Sequence, residues 1–85
     1  MINTSKLKKL YESCVRDPYS IYRPSDEELL KFCKKVVMLA ENVDDLIQTL
    51  EFTYSECRLK DVETHAFILC TLREEFFNRI EQERQ

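Results

Sequence analysis

The sequence predicts an all-α fold, a small helical bundle of three to four helices making a single domain over residues 1–85. Three features carry that expectation. Leu29, Cys33, Val36, Ala40, Val43, Ile47, Leu50, Tyr54 and Cys57 recur at alternating steps of four and three, the spacing of one apolar seam along a helix or along two helices in phase. Glycine is absent, which counts against β-hairpins, whose tight turns lean on it, and against the glycine-rich loops that cradle phosphates. Helix-start signals stand at Asn3, Ser25, Asn42 and Asp61.

The first helix is expected from Thr4 to Arg16. Asn3 is its N-cap, Ile2 and Leu7 form a hydrophobic staple, and Leu7, Leu10, Tyr11, Cys14 and Val15 share one face. Asp17-Pro18 stops it, because proline disfavours helical backbone in the residue before it. The connector Pro18–Pro24 carries Tyr19, Ile21 and Tyr22, more apolar surface than a plain linker needs. Its favoured role is to lid the open end of the bundle; the rival role is a partner-binding loop, with Tyr19 and Tyr22 as the contacts.

Ser25-Asp26-Glu27-Glu28 is a capping box with three acids where the helix dipole welcomes them, so these carboxylates need no catalytic explanation. Asn42 with Asp45 reads as a further N-cap and favours a break near Asn42. The alternative is one continuous coiled-coil-like arm from Asp26 to Cys57, about 48 Å at 1.5 Å per residue, which would form a long helix hairpin. Asp61 caps the last helix, expected from Val62 to Glu83, with a main stripe of Val62, Ala66, Leu69, Leu72, Phe76 and Ile80. The tail from Glu81 to Gln85 is expected to be solvated and frayed. Leu30, Phe32, Val37, Phe67, Cys70 and Phe77 fall off the main stripes and give two helices a second apolar side, and Phe32, Val37, Phe67 and Phe77 on those sides point to a homodimer.

Composition narrows the function. With 44% hydrophobic and 34% charged residues the chain is globular in profile, and no apolar run approaches the ~18 residues of a membrane span. The first residues lack the pattern of a signal peptide, so the expected place is the cytoplasm, with no membrane contact. The net charge of −3 hides an asymmetry: residues 1–35 hold eight Lys or Arg against five Asp or Glu, and residues 36–85 hold five against eleven. Asp44, Asp45, Glu51 and Glu56 would face phosphates if the second and third helices were a helix-turn-helix, so direct nucleic-acid binding is excluded on charge.

Cys14, Cys33, Cys57 and Cys70 are spaced 19, 24 and 13 apart, without the close ligand pairs of zinc sites, and His65 is the lone histidine. The expectation is structural thiols, no metal, no cofactor and no catalytic residue. By elimination the chain reads as a non-enzymatic protein-interaction module, an inhibitor or adaptor that binds a protein target through a helical face. A chaperone-type or structural protein, acting through homodimerisation or a partner helix, is the alternative. The candidate face is on the last helix: Phe67, Cys70 and Phe77 as apolar anchors edged by Glu74 and Glu81 (with Glu56 and Glu63 beyond), suited to a basic partner surface.

Overall fold

A computed structural model describes residues 1–84. Four helices make up 71% of the chain, about twice the share usual in globular proteins, and no strand occurs among the described residues. They are α1 (Thr4–Cys14), α2 (Asp26–Leu39), α3 (Val43–Ser55) and α4 (Val62–Glu83). No helix among them is long and apolar enough to cross a membrane.

Each helix starts where a short polar side chain can reach a free backbone N–H. The Asn3 side chain accepts from Ser5 N, and the Ser25–Glu28 capping box is fully formed. Asn42 accepts from Asp45 N, and Asp61 from Thr64 N. α1 ends at Cys14, two residues before the expected Arg16, with Val15 already extended and buried. α4 ends at Glu83, as expected, and Glu81, Gln82, Glu83 and Arg84 are all exposed to solvent; Gln85 lies outside the described residues. The chain leaves α3 through Arg58 at φ 58°, a left-handed conformation that glycine would adopt at lower cost.

Two arginines tie α2 to α4 and set their direction. Arg23, just ahead of α2, donates from Nε to Thr64 Oγ1 at the start of α4 (2.6 Å). Arg79, near the end of α4, donates from Nη1 to the carbonyls of Val37 (2.7 Å) and Ala40 at the end of α2. The two helices therefore run parallel and share the largest helix–helix interface. α3 returns the chain between them, antiparallel to α4, so its Tyr54 ring meets His65 edge-on at 5.6 Å. The start of the chain is fastened by Gln48 of α3, whose amide both accepts from Ile2 N (3.0 Å) and donates to Ile2 O.

The core is built on Leu7, Leu29, Phe32, Cys33, Val36, Ile68 and Leu72, all at 1% exposure or less. Tyr11 packs edge-on against both Phe32 (5.4 Å) and Phe52 (6.3 Å). Phe32 and Val37 were expected on a second, shared side; both are buried in this core, because α2 is covered by α1 on one flank and α4 on the other. Half the basis for a homodimer goes with them.

The apolar seam does not continue in register. The long arm is replaced by two helices separated at Ala40–Asn42, and Asn42 is fully extended (φ −154°, ψ 178°). Asp45 is drawn inward, its Oδ2 accepting the Glu41 N–H at 2.8 Å, and that hydrogen bond holds its carboxyl below the usual carboxylate range. With Asp45 inside, α3 presents Leu46, Thr49, Phe52 and Thr53 to the core. That face is rotated by roughly a third of a turn from the seam positions. Val43, Ile47 and Tyr54, expected inside, are exposed.

The stripe expected on α4 holds only in its second half. Leu72 and Phe76 are buried and Ile80 packs against the core, but Val62, Ala66 and Leu69 are exposed, and Thr64, Ile68 and Thr71 are buried in their stead. Threonine can face the core because it satisfies its hydroxyl locally: Thr49 donates to Asp45 O (2.9 Å), Thr53 to Leu50 O (3.0 Å) and Thr64 to Asp61 Oδ2 (2.6 Å). Its methyl is left for packing.

Candidate functional site

The two displaced apolar rows meet. Val43, Leu46, Ile47 and Leu50 of α3 face Leu69, Leu72, Arg73, Phe76 and Phe77 of α4 across an open groove of about 230 Å³. Leu72 and Phe76 floor it, while Val43 (57% exposed), Ile47 (48%), Leu69 (45%) and Phe77 (54%) form walls half open to water. Single exposed apolar residues are ordinary, but a contiguous set lining a concavity marks a contact surface. Burying the exposed halves of these four side chains is worth about 1 kcal/mol each.

Each wall carries the same charge pattern. On α3, Asp44 and Glu51 stand three residues before and four after Ile47; on α4, Glu74 and Glu81 stand three before and four after Phe77. At those spacings each acid pair shares a face with the apolar residue it brackets, and all four carboxylates are exposed. The lining has one ionisable side chain, Arg73, whose guanidinium lies 5.9 Å from the centre of the Phe77 ring. Arg73 is exposed, and no carboxylate lies within salt-bridge distance of it among the described residues.

Of the residues singled out from the sequence, Cys70, Glu74 and Phe77 come together, lining a shallow open hollow with Arg73 and Asn78 on the outer side of α4. Glu81 is exposed one turn further on. Phe67 is separated from them in role: it is half-buried against the core, with the Arg23 guanidinium 5.8 Å from its ring centre. Of the residues expected at the contact face, Phe77 alone lines the groove. The rest of its lining was missed, because Val43, Ile47, Leu50, Leu69, Leu72 and Phe76 were assigned to the core.

Tyr19 and Tyr22 lie elsewhere. Both are exposed, as is Ile21, so the connector does not lid the bundle. Arg23 holds it clear, bonded to Asp26 (2.6 Å), to Pro24 O (3.1 Å) and to Thr64, while the Tyr19 hydroxyl donates to Glu12 (2.6 Å). The connector and the α3–α4 joint border an open concavity of about 670 Å³, into which Arg23, Arg58, Glu56 and Asp61 bring charges of both signs. Burying it would desolvate those charges, so despite its size it is the poorer contact surface.

The four cysteines are free, without a disulfide among them. Burial pushes Cys33 and Cys57 up to about 12, which keeps both as thiols near neutral pH; Cys14 is buried and Cys70 is exposed. No group of three or more His, Cys, Asp or Glu able to hold a metal ion occurs among the described residues. His65 sits at the boundary with Nδ1 buried and without a hydrogen-bond partner. Comparison with known proteins finds no matching family model, no matching curated protein and no matching solved structure.

Proposed function

We propose that this chain is a non-enzymatic protein-binding module, an inhibitor or adaptor, whose contact surface is the α3–α4 groove. The observation that carries the reading is the half-exposed apolar lining of that groove, bracketed on both walls by carboxylates. The occupant that fits is an amphipathic helix: apolar side chains at i, i+3, i+4 and i+7 enter the groove, and lysines or arginines along their borders meet Asp44, Glu51, Glu74 and Glu81.

The energetics place the contact in the weak range. The four wall residues offer about 4 kcal/mol in total, the partner offers a similar amount, and association costs at least about 4 kcal/mol. At most about 4 kcal/mol is left, a millimolar contact, which complementary charge at the four borders, up to about 1 kcal/mol each, tightens into the sub-millimolar range.

The test uses a synthetic helix of about 20 residues with leucines along one face and lysines on both borders, titrated against the protein by fluorescence anisotropy. Sub-millimolar binding is expected, weakening as salt rises from about 0.05 to 0.5 M, as exposed charges are screened. Phe77→Glu is expected to weaken it by about tenfold or more, a loss of about 1.4 kcal/mol, with an unchanged circular dichroism spectrum. Equal binding by the folded variant would remove the groove as the contact surface.

A further inference from the structure

We infer that the partner this groove fits is a second copy of the chain, entering with the outward face of α2. The inference rests on the groove being a protein-binding surface and adds what fills it. Lys31, Lys34, Lys35 and Met38 stand at i, i+3, i+4 and i+7, so they form one strip along α2. All four are exposed, Met38 at 78%. None of the three lysines has a carboxylate within salt-bridge distance among the described residues. Methionine is unbranched and adaptable, a side chain that fills irregular apolar slots.

Met38 is an apolar knob with ammonium groups one and two turns before it, and the groove is an apolar slot with carboxylates on its borders; Met38 enters the slot while the lysine stems lie along its walls and carry their ammonium groups out to those borders. Charge selects among the possible self-contacts. Groove against groove would set the acids bracketing Ile47 and Phe77 on one copy against those of the other, and α2 against α2 would do the same with lysines. Like charges brought together cost several kcal/mol, and of the three contacts only knob-to-groove sets lysines against carboxylates, with Arg73 and Glu41 the two charges it leaves without an opposite partner. After the first contact one copy keeps a free groove and the other a free knob, so association is head-to-tail and leads to rings or open chains.

Analytical ultracentrifugation of the full chain at up to about 1 mM in low salt tests this. Concentration-dependent association is expected, reversed toward monomer at about 0.5 M salt. Met38→Glu removes the knob and keeps the groove; Phe77→Glu removes the groove and keeps the knob. Each is expected to be monomeric alone, and an equimolar mixture is expected to form a one-to-one dimer and stop there. Ile47→Glu on the opposite wall replaces Phe77→Glu if the latter does not fold. A wild-type monomer at 1 mM, or a dimer that survives Met38→Glu, overturns the inference, as does a mixture of the variants that stays monomeric. If the wild type is monomeric yet binds the lysine-bordered peptide, self-association falls and the groove stands; if the peptide also fails to bind, both fall.

Discussion

Phe32→Ala is expected to remove most of the stability of this protein. The ring is completely buried and packs edge-on against Tyr11 at 5.4 Å, at the point where α1, α2 and Phe52 of α3 converge. Truncating a buried phenylalanine costs about 3–5 kcal/mol, the transfer term plus the cavity it leaves. A domain of 85 residues has in all about 4–13 kcal/mol to lose. Urea unfolding followed by circular dichroism is expected to show the midpoint falling by several molar, with the transition beginning close to zero denaturant. The same substitution on an exposed second face, where the sequence pattern had put Phe32, would shift stability by less than about 0.5 kcal/mol. The two placements differ several-fold in a single measurement.

Arg79→Ala carries the next largest effect, and it acts on a helix other than its own. α2 has no basic residue in its last turn, and its final carbonyls lack intrahelical donors. Arg79 reaches across from α4 and donates to the carbonyls of Val37 and Ala40, with its guanidinium 5.8 Å from the Phe76 ring centre. Hydrogen bonds from a charged donor contribute about 1.5–3 kcal/mol net, and the side chain is one-third exposed, which lowers the sum. The expected loss is about 2–3 kcal/mol, a fall in Tm of about 10–20 °C. Arg79→Lys is expected to recover only part of it, since an ammonium lacks the planar fork. Glu83→Ala, which breaks the exposed pair with Arg79 at 3.0 Å, is expected to cost under about 0.5 kcal/mol. Equal losses from Arg79→Ala and Glu83→Ala would show that the cap on α2 is not what Arg79 supplies.

What was legible in the sequence was local. A cap is decided within four residues, so Asn3, Ser25, Asn42 and Asp61 could be read as helix starts, and with them the order of the helices; three helices or four hung on Asn42, where the unbroken seam spoke for one long arm. Helix rotation is not local. Val43, Ile47 and Leu50 keep perfect spacing with Leu29, Cys33 and Val36, yet the extended residue Asn42 and the inward pull on Asp45 turn α3 so that Thr49 and Thr53 face the core. A hydrophobicity pattern scores threonine as polar and cannot see that Thr49, Thr53 and Thr64 bond their hydroxyls close by in sequence.

The candidate site was half legible for the same reason. Phe77 with Glu74 and Glu81 could be read from α4 alone, whereas Ile47 with Asp44 and Glu51 became visible only once α3 was known to be turned. The homodimer expected from Phe32, Val37, Phe67 and Phe77 drew on two core residues and one half-buried one; Phe77 alone stays on the surface in that role. Arg79 carried no pattern of its own, since its partners are backbone carbonyls 39 and 42 residues away.

The claim on which the functional account turns is that the rotated face of α3 and the outer row of α4 form one binding surface. Amide and methyl chemical-shift mapping of the protein with the lysine-bordered helix tests it most directly. The account predicts shifts concentrated on Val43, Ile47, Leu50, Leu69 and Phe77, on both walls at once and saturating together. Shifts confined to the connector around Tyr19 and Tyr22, or none on α3, would contradict it.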